Sequence, residues 1–229
     1  MWMPGRRADI PRGVLALPFV LAAFLAACAG NAPPPTRDEA HAPPGVARVE
    51  VAGFHTALFG MDAAQVRDTI VQDYHVAPAA IRSEENAAEK TQILAVTVPD
   101  LLPSGGSAEI AYVFGFTSRK LVQIGVTWST RTDPALTPER LMRNARLLAE
   151  HFKEAGYRPD SIATDVPLAD GMLVFRGTDK AGHATLLTLQ EPPADVGRGA
   201  KPPPPTALTL YYIADPQRPD VEAPAPVEK

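Results

Sequence analysis

With 26 acidic against 22 basic side chains in 229 residues, the chain carries a formal charge of −4, which excludes a general phosphate-backbone binder, since those need a basic surface. Its single cysteine excludes an internal disulfide framework, so stability must come from a packed core. The apolar fraction of 45% is ordinary for a globular chain, and one domain of about 165 residues can bury a sizeable core.

The N-terminal region reads first. Arg6, Arg7 and Arg12 form a positive lead, Val14–Ala27 is a 14-residue apolar stretch, and Cys28 follows Leu25-Ala26-Ala27. This is the layout of a secretory signal with a small-residue cleavage site. The apolar stretch falls short of the roughly 20 residues that cross a bilayer as a helix. A plain signal would tolerate any residue at position 28, yet the sole cysteine stands there. The tetrapeptide resembles the lipobox of bacterial lipoproteins. That resemblance implies that residues 1–27 are a removed signal peptide and that Cys28 is the lipidation site and the first mature residue. Each buried CH₂ contributes about 0.8 kcal/mol to an acyl anchor, and the several chains of a processed lipoprotein would hold firmly. The family keeps proteins with Asp after the cysteine at the inner membrane. Ala29 stands there, which implies delivery to the outer membrane, facing the periplasm. Loss of Arg6, Arg7, Arg12 and Asp9 with the signal would move the charge from −4 to −6.

Residues 28–45 carry Pro33, Pro34, Pro35, Pro43 and Pro44 and no large apolar side chain, which predicts a semi-rigid tether. At about 3.1 Å per residue it would reach up to roughly 50 Å from the membrane. Residues 46–213 form the expected globular domain. Within it, Pro192–Pro205 reads as a long surface loop favouring polyproline II, and the polar, proline-rich residues 214–229 read as a disordered tail.

Inside the domain, Asp62 with Gln65 three residues on gives a capping box, and Val66, Ile70 and Tyr74 continue a helix over 62–74. Glu84–Gln92 is polar and reads as a solvated segment. Ile93–Val98 is β-rich and precedes the turn Pro103-Ser104-Gly105-Gly106. Ile110, Tyr112 and Phe114 share one strand face, and Val122, Ile124, Val126 and Trp128 share one face of the next, with Gly115–Arg119 joining them. A second helix begins at N-cap Thr137 with Pro138 in the first position, runs through Leu141, Ala145, Leu148 and Phe152, and stops before Gly156. Met172–Phe175 and Ala184–Leu189 make a second hairpin about the turn Thr178–Gly182, and Thr206–Ile213 is the last strand. A weak repeat with an offset of 81 residues links Pro78–Ile81 to Pro159–Ile162, each after a helix and a tyrosine. The predicted class is α+β: an antiparallel sheet with helices on one face. The repeat leaves two readings open, two tandem αβββ modules or a chance recurrence of Pro-x-x-Ile.

Phe59-Gly60-Met61-Asp62 with Gln65 and Val66 resembles the helix opening of BamE-type outer-membrane lipoproteins and related β-lactamase-inhibitor-like modules. The resemblance extends over residues 58–128 and includes Ala111-Tyr112-Val113-Phe114 and Leu121–Val126. The sequence departs from that pattern at Asp62, in the polar stretch Glu84–Gln92 and in continuing for a second module. The resemblance implies a small scaffold used for protein binding.

Candidate chemistry is sparse. His41, His55, His75, His151 and His183 show no ligand spacing, and His151 with Glu154 supplies only two donors, so neither a metal nor another cofactor is expected. Ser118 and Lys120 could form a nucleophile pair, but on an exposed hairpin tip nothing would lower the lysine pKa. Ser104–Ser107 lacks the lysine and helix of a phosphate loop. Glu84, Glu85 and Glu89 lack the apolar setting that splits a carboxylate pair into acid and base. Arg140, Arg143 and Arg146 could meet an anionic surface, although pairing with Glu139 and Glu150 explains them more simply. The expected function is therefore a non-enzymatic, lipid-anchored domain whose partners are the membrane, through Cys28, and another envelope protein, with no nucleic acid. A different class remains open: a small-ligand or lipid-binding module on the concave sheet face, which calls for exposed aromatics such as Tyr211 there.

Overall fold

The computed structural model describes residues 48–191 and 204–222. Cys28, the signal and tether segments, most of the Pro192–Pro205 loop and residues 223–229 lie outside the described residues.

Local chemistry starts both helices where the sequence places them. At α1 (Ala63–Tyr74) the Asp62 carboxylate accepts the Gln65 amide at 3.0 Å, and the Gln65 side chain accepts the Asp62 amide at 3.0 Å. Two free amides are thus satisfied reciprocally. At α2 (Pro138–Glu154) the Thr137 hydroxyl accepts the Arg140 amide, and Gly156 adopts a left-handed φ of 85° beyond the last turn. Each helix is followed by a single 3₁₀ turn, Pro78–Ala80 and Pro159–Ser161. In both, the next isoleucine amide donates to the proline carbonyl: Ile81 to Pro78 and Ile162 to Pro159.

A short hairpin, β1 (Gly53–Phe54) and β2 (Ala57–Leu58), precedes α1. The main sheet comprises β3 (Arg82–Asn86), β4 (Thr91–Val98), β5 (Ala108–Phe114), β6 (Leu121–Ser129), β7 (Ala163–Leu168), β8 (Gly171–Thr178), β9 (Ala184–Gln190) and β10 (Ala207–Ile213). Its order is β3-β4-β5-β6-β10-β9-β8-β7, antiparallel throughout. Two consecutive meanders therefore meet through their last strands, with Val126 opposite Leu210 and Ile124 opposite Tyr212.

One face of this sheet holds the core. Leu94, Val96, Ile110, Tyr112, Phe114, Ile124, Val126, Trp128, Leu208, Leu210, Leu187, Leu189 and Phe175 join Val66 and Ile70 of α1 and Leu141, Ala145, Leu148 and Phe152 of α2 in a single cluster. Trp128 is 1% exposed, as the alternation along its strand requires. The expectation of an α+β chain built on an antiparallel sheet therefore holds.

Several readings need correction. The polar stretch Glu84–Gln92 is not a solvated loop throughout: Glu84–Asn86 belong to edge strand β3 and Thr91 and Gln92 open β4, and β7 is a further strand the pattern did not reveal. Each meander thus has four strands instead of three. Val122 does not share the core face. A bulge shifts the register so that Leu121 pairs with Phe114 and is buried in its place. The tail reading fails for residues 214–222. Ala214 donates to Val122 O, Phe116 donates to Asp220 O, and Glu222 donates to Glu89 O at 3.0 Å. The Asp220 carboxylate also accepts the amides of Thr117 and Ser118, at 2.8 and 2.9 Å.

Candidate functional site

Strand register brings together a surface that sequence separation hides. On the face away from the helices, one row crosses the sheet as Arg82, Ala95, Ala111, Gly125, Tyr211, Leu186 and Arg176. Beside it runs a second row of Thr97, Glu109, Thr127, Thr209 and Thr188, and on the other side Ile93, Val113, Gln123 and Ile213. Ala95, Ala111 and Gly125 of the first row and Val113, Gln123 and Thr209 beside it are buried, while Glu109, Thr127, Leu186, Thr188 and Tyr211 are half-buried. Gly125 leaves its space to the Tyr211 ring, whose nearest carbon stands 3.5 Å from where a Cβ would be. The Thr127 and Thr209 hydroxyls lie 3.2 Å apart across the central strand pair. Burial raises the Tyr211 phenol pKa, so this hydroxyl stays neutral and serves as a hydrogen-bonding group. This face carries one aromatic within these rows, and Arg82 and Arg176 flank the first of them.

The core side contains polar groups with structural work. Asp179, 2% exposed, accepts the Val51 amide at 2.9 Å and the His183 amide at 2.9 Å, so the first described segment is pinned to the β8–β9 turn. His183 Nδ1 lies 3.3 Å from the same carboxylate, and the ring meets Phe59 edge-on. Tyr157 donates to Thr185 at 2.7 Å, and the Tyr74 and Tyr112 hydroxyls are 3.3 Å apart. Burial pushes the Tyr74 phenol up to about 12 and Tyr112 further still. These phenols remain protonated at neutral pH and cannot act as bases there.

The sequence candidates end up apart. Cys28 and His41 lie outside the described residues. His55, His75 and His151 are exposed and His183 is half-buried, and no group of three or more potential ligands assembles among the described residues. Ser118 Oγ accepts the Lys120 amide, while Lys120 Nζ points to Asp62 at 3.7 Å, so the two do not form a nucleophile pair. The Ser104–Ser107 loop is held by α2: Arg143 donates to Ser104 O at 3.0 Å and buried Asn144 to Gly105 O at 2.9 Å. The expected ion pairing of the arginine row is therefore not what forms. Arg143 serves the loop, Arg146 donates to Met142 O, and Glu150 pairs with Lys153. Glu84 pairs with Arg82, which also reaches Glu109. Glu89 is partly buried, which raises its carboxyl pKa.

Sequence reasoning missed the Asp220 clamp and the Asp179 pin. Asp179 was visible as a turn residue, but its partner is 128 positions away and gives no local signal. Asp220 is likewise 102 and 103 positions from the amides it holds.

No family model matches the chain, and neither a curated protein nor a solved structure shows significant similarity to it.

Proposed function

We propose that the chain is a lipid-anchored, non-enzymatic domain of the bacterial envelope, attached through Cys28 at the outer membrane, that binds another envelope protein with the sheet face opposite the helices. The observation that carries the reading is Leu25-Ala26-Ala27-Cys28 behind an apolar run, because it assigns a compartment before any activity is considered. The resemblance of residues 58–128 to BamE-type and β-lactamase-inhibitor-like modules supports a protein-binding scaffold.

We further infer that the domain arose by duplication of one unit: helix, 3₁₀ turn and four strands. Support comes from the same element order after α1 and after α2, from the matching Ile81 and Ile162 amide bonds, and from a dyad-like meeting of β6 with β10.

A sheet face whose half-buried Glu109, Thr127, Thr188 and Leu186 lie in neighbouring rows suits a protein surface better than a small molecule, which needs an enclosing apolar cavity. The second reading, a small-ligand or lipid-binding face, draws on Tyr211 lying over Gly125. Affinity capture from solubilised envelopes with the full lipidated protein separates the two. The parent should retain a protein partner that Thr127→Arg and Leu186→Arg release. Equal capture by these variants would move the binding surface elsewhere, and recovery of a lipid alone would favour the second reading.

A further inference from the structure

We propose that the outer edge of β3 docks a basic, extended segment of a partner protein as a ninth strand of the main sheet. The proposal deepens the protein-binding reading and rests on it. The two edges of the sheet differ in kind. On β7, Asp165 takes a positive φ of 54° and drops out of register, and Pro167 offers no amide. Both features block strand addition. β3 instead holds unbroken register with β4 from Arg82 to Asn86, without proline, glycine or bulge. Outside its pairing with β4, its backbone makes one bond among the described residues, from the Glu89 amide to Asn86 O. The remaining outward amides and carbonyls are a template for main-chain pairing.

Charge selects the occupant. Successive strand residues point to opposite faces, so Glu84 and Glu85 flank the edge above and below. Glu109 lies on the Glu84 side, and the C-terminal segment brings Glu222 to Glu89. Arg82 is already shared between Glu84 and Glu109, and Lys90 stands in the β3–β4 turn beside Glu89. Pairing of β3 with a second copy about Glu84 would set Glu84 against Glu84, a like-charge contact that disfavours self-addition. A segment with lysine or arginine at alternate positions meets carboxylates instead.

The test uses the full-length protein and two short probe peptides, one alternating lysine with valine and one alternating glutamate with valine. The lysine peptide should bind, lose affinity as salt rises, and slow amide exchange within residues 82–86. Glu84→Lys with Glu85→Lys should weaken binding about tenfold or more, while Glu150→Lys on α2 leaves it unchanged. Equal binding of the glutamate peptide, protection at β7 or at neither edge, or parental affinity in the double variant would each overturn the proposal. Exchange in the parent decides the matter even where the double variant misfolds. Should the edge fail while Thr127→Arg still abolishes capture, the sheet-face reading stands without it.

Discussion

Trp128 shows how far single residues could be read. Its burial follows from alternation with Ile124 and Val126, and its indole N–H finds no partner among the described residues. Trp128→Ala should cost about 3–5 kcal/mol, measured by denaturant unfolding. Trp128→Phe should cost less, because it removes the unpaired donor and keeps much of the ring. Leu121 was illegible by the same alternation, since a bulge turns Val122 out and Leu121 in. The phenols give a prediction at high pH. Burial raises Tyr74 from 10.0 to about 12, so in that interval the unfolded chain loses a proton that the folded chain keeps. Stability should be unaffected by this group below pH 10 and fall as pH rises toward 12. Tyr74→Phe should flatten that fall in alkaline unfolding curves. An unchanged slope would show that Tyr74 titrates alike in both states.

Elements with self-contained signals were legible, and those defined by distant partners were not. Both helices carry their own caps, so Asp62 with Gln65 and Thr137 with Pro138 announced them. The interior strands announced themselves by alternation. β3 and β7 lie at the sheet edges, where a charged Arg-Ser-Glu-Glu-Asn run or a proline replaces the apolar pattern. The segment 214–222 reads as a polar tail because its order comes from other elements, chiefly Asp220 on the β5–β6 tip. Asp220→Ala should lower stability by about 1 kcal/mol and speed amide exchange at Thr117 and Ser118. A chain ending at Ile213 should still fold, with the same tip loosened. Parental exchange at both amides in either variant would deny the clamp its role.

At the scale of the whole molecule, the anchor and the strand order carry the remaining expectations. Cys28→Ala should abolish metabolic labelling with a fatty acid, and label retained in that variant would remove the anchor from the proposal. Of the candidate sites, Cys28 could be proposed from sequence because the motif that suggests lipidation, Leu25-Ala26-Ala27-Cys28, is written in adjacent residues. The sheet face was readable only as alternating positions, since its rows are assembled by register across strands far apart in sequence. The duplication reading predicts that a fragment of residues 48–133 pairs β6 with β6 of another copy and sediments as a dimer. A folded monomer would count against it. The same strand order has a temporal side. β10, the last of the described strands, lies between β6 and β9. A chain emerging from its N-terminus completes seven strands of the main sheet while its central seam is still open. Ordering β10 is therefore the closing act of folding, and a stop codon shortly before residue 207 should be as damaging as one soon after residue 129, because both leave β6 an unpaired edge that invites aggregation.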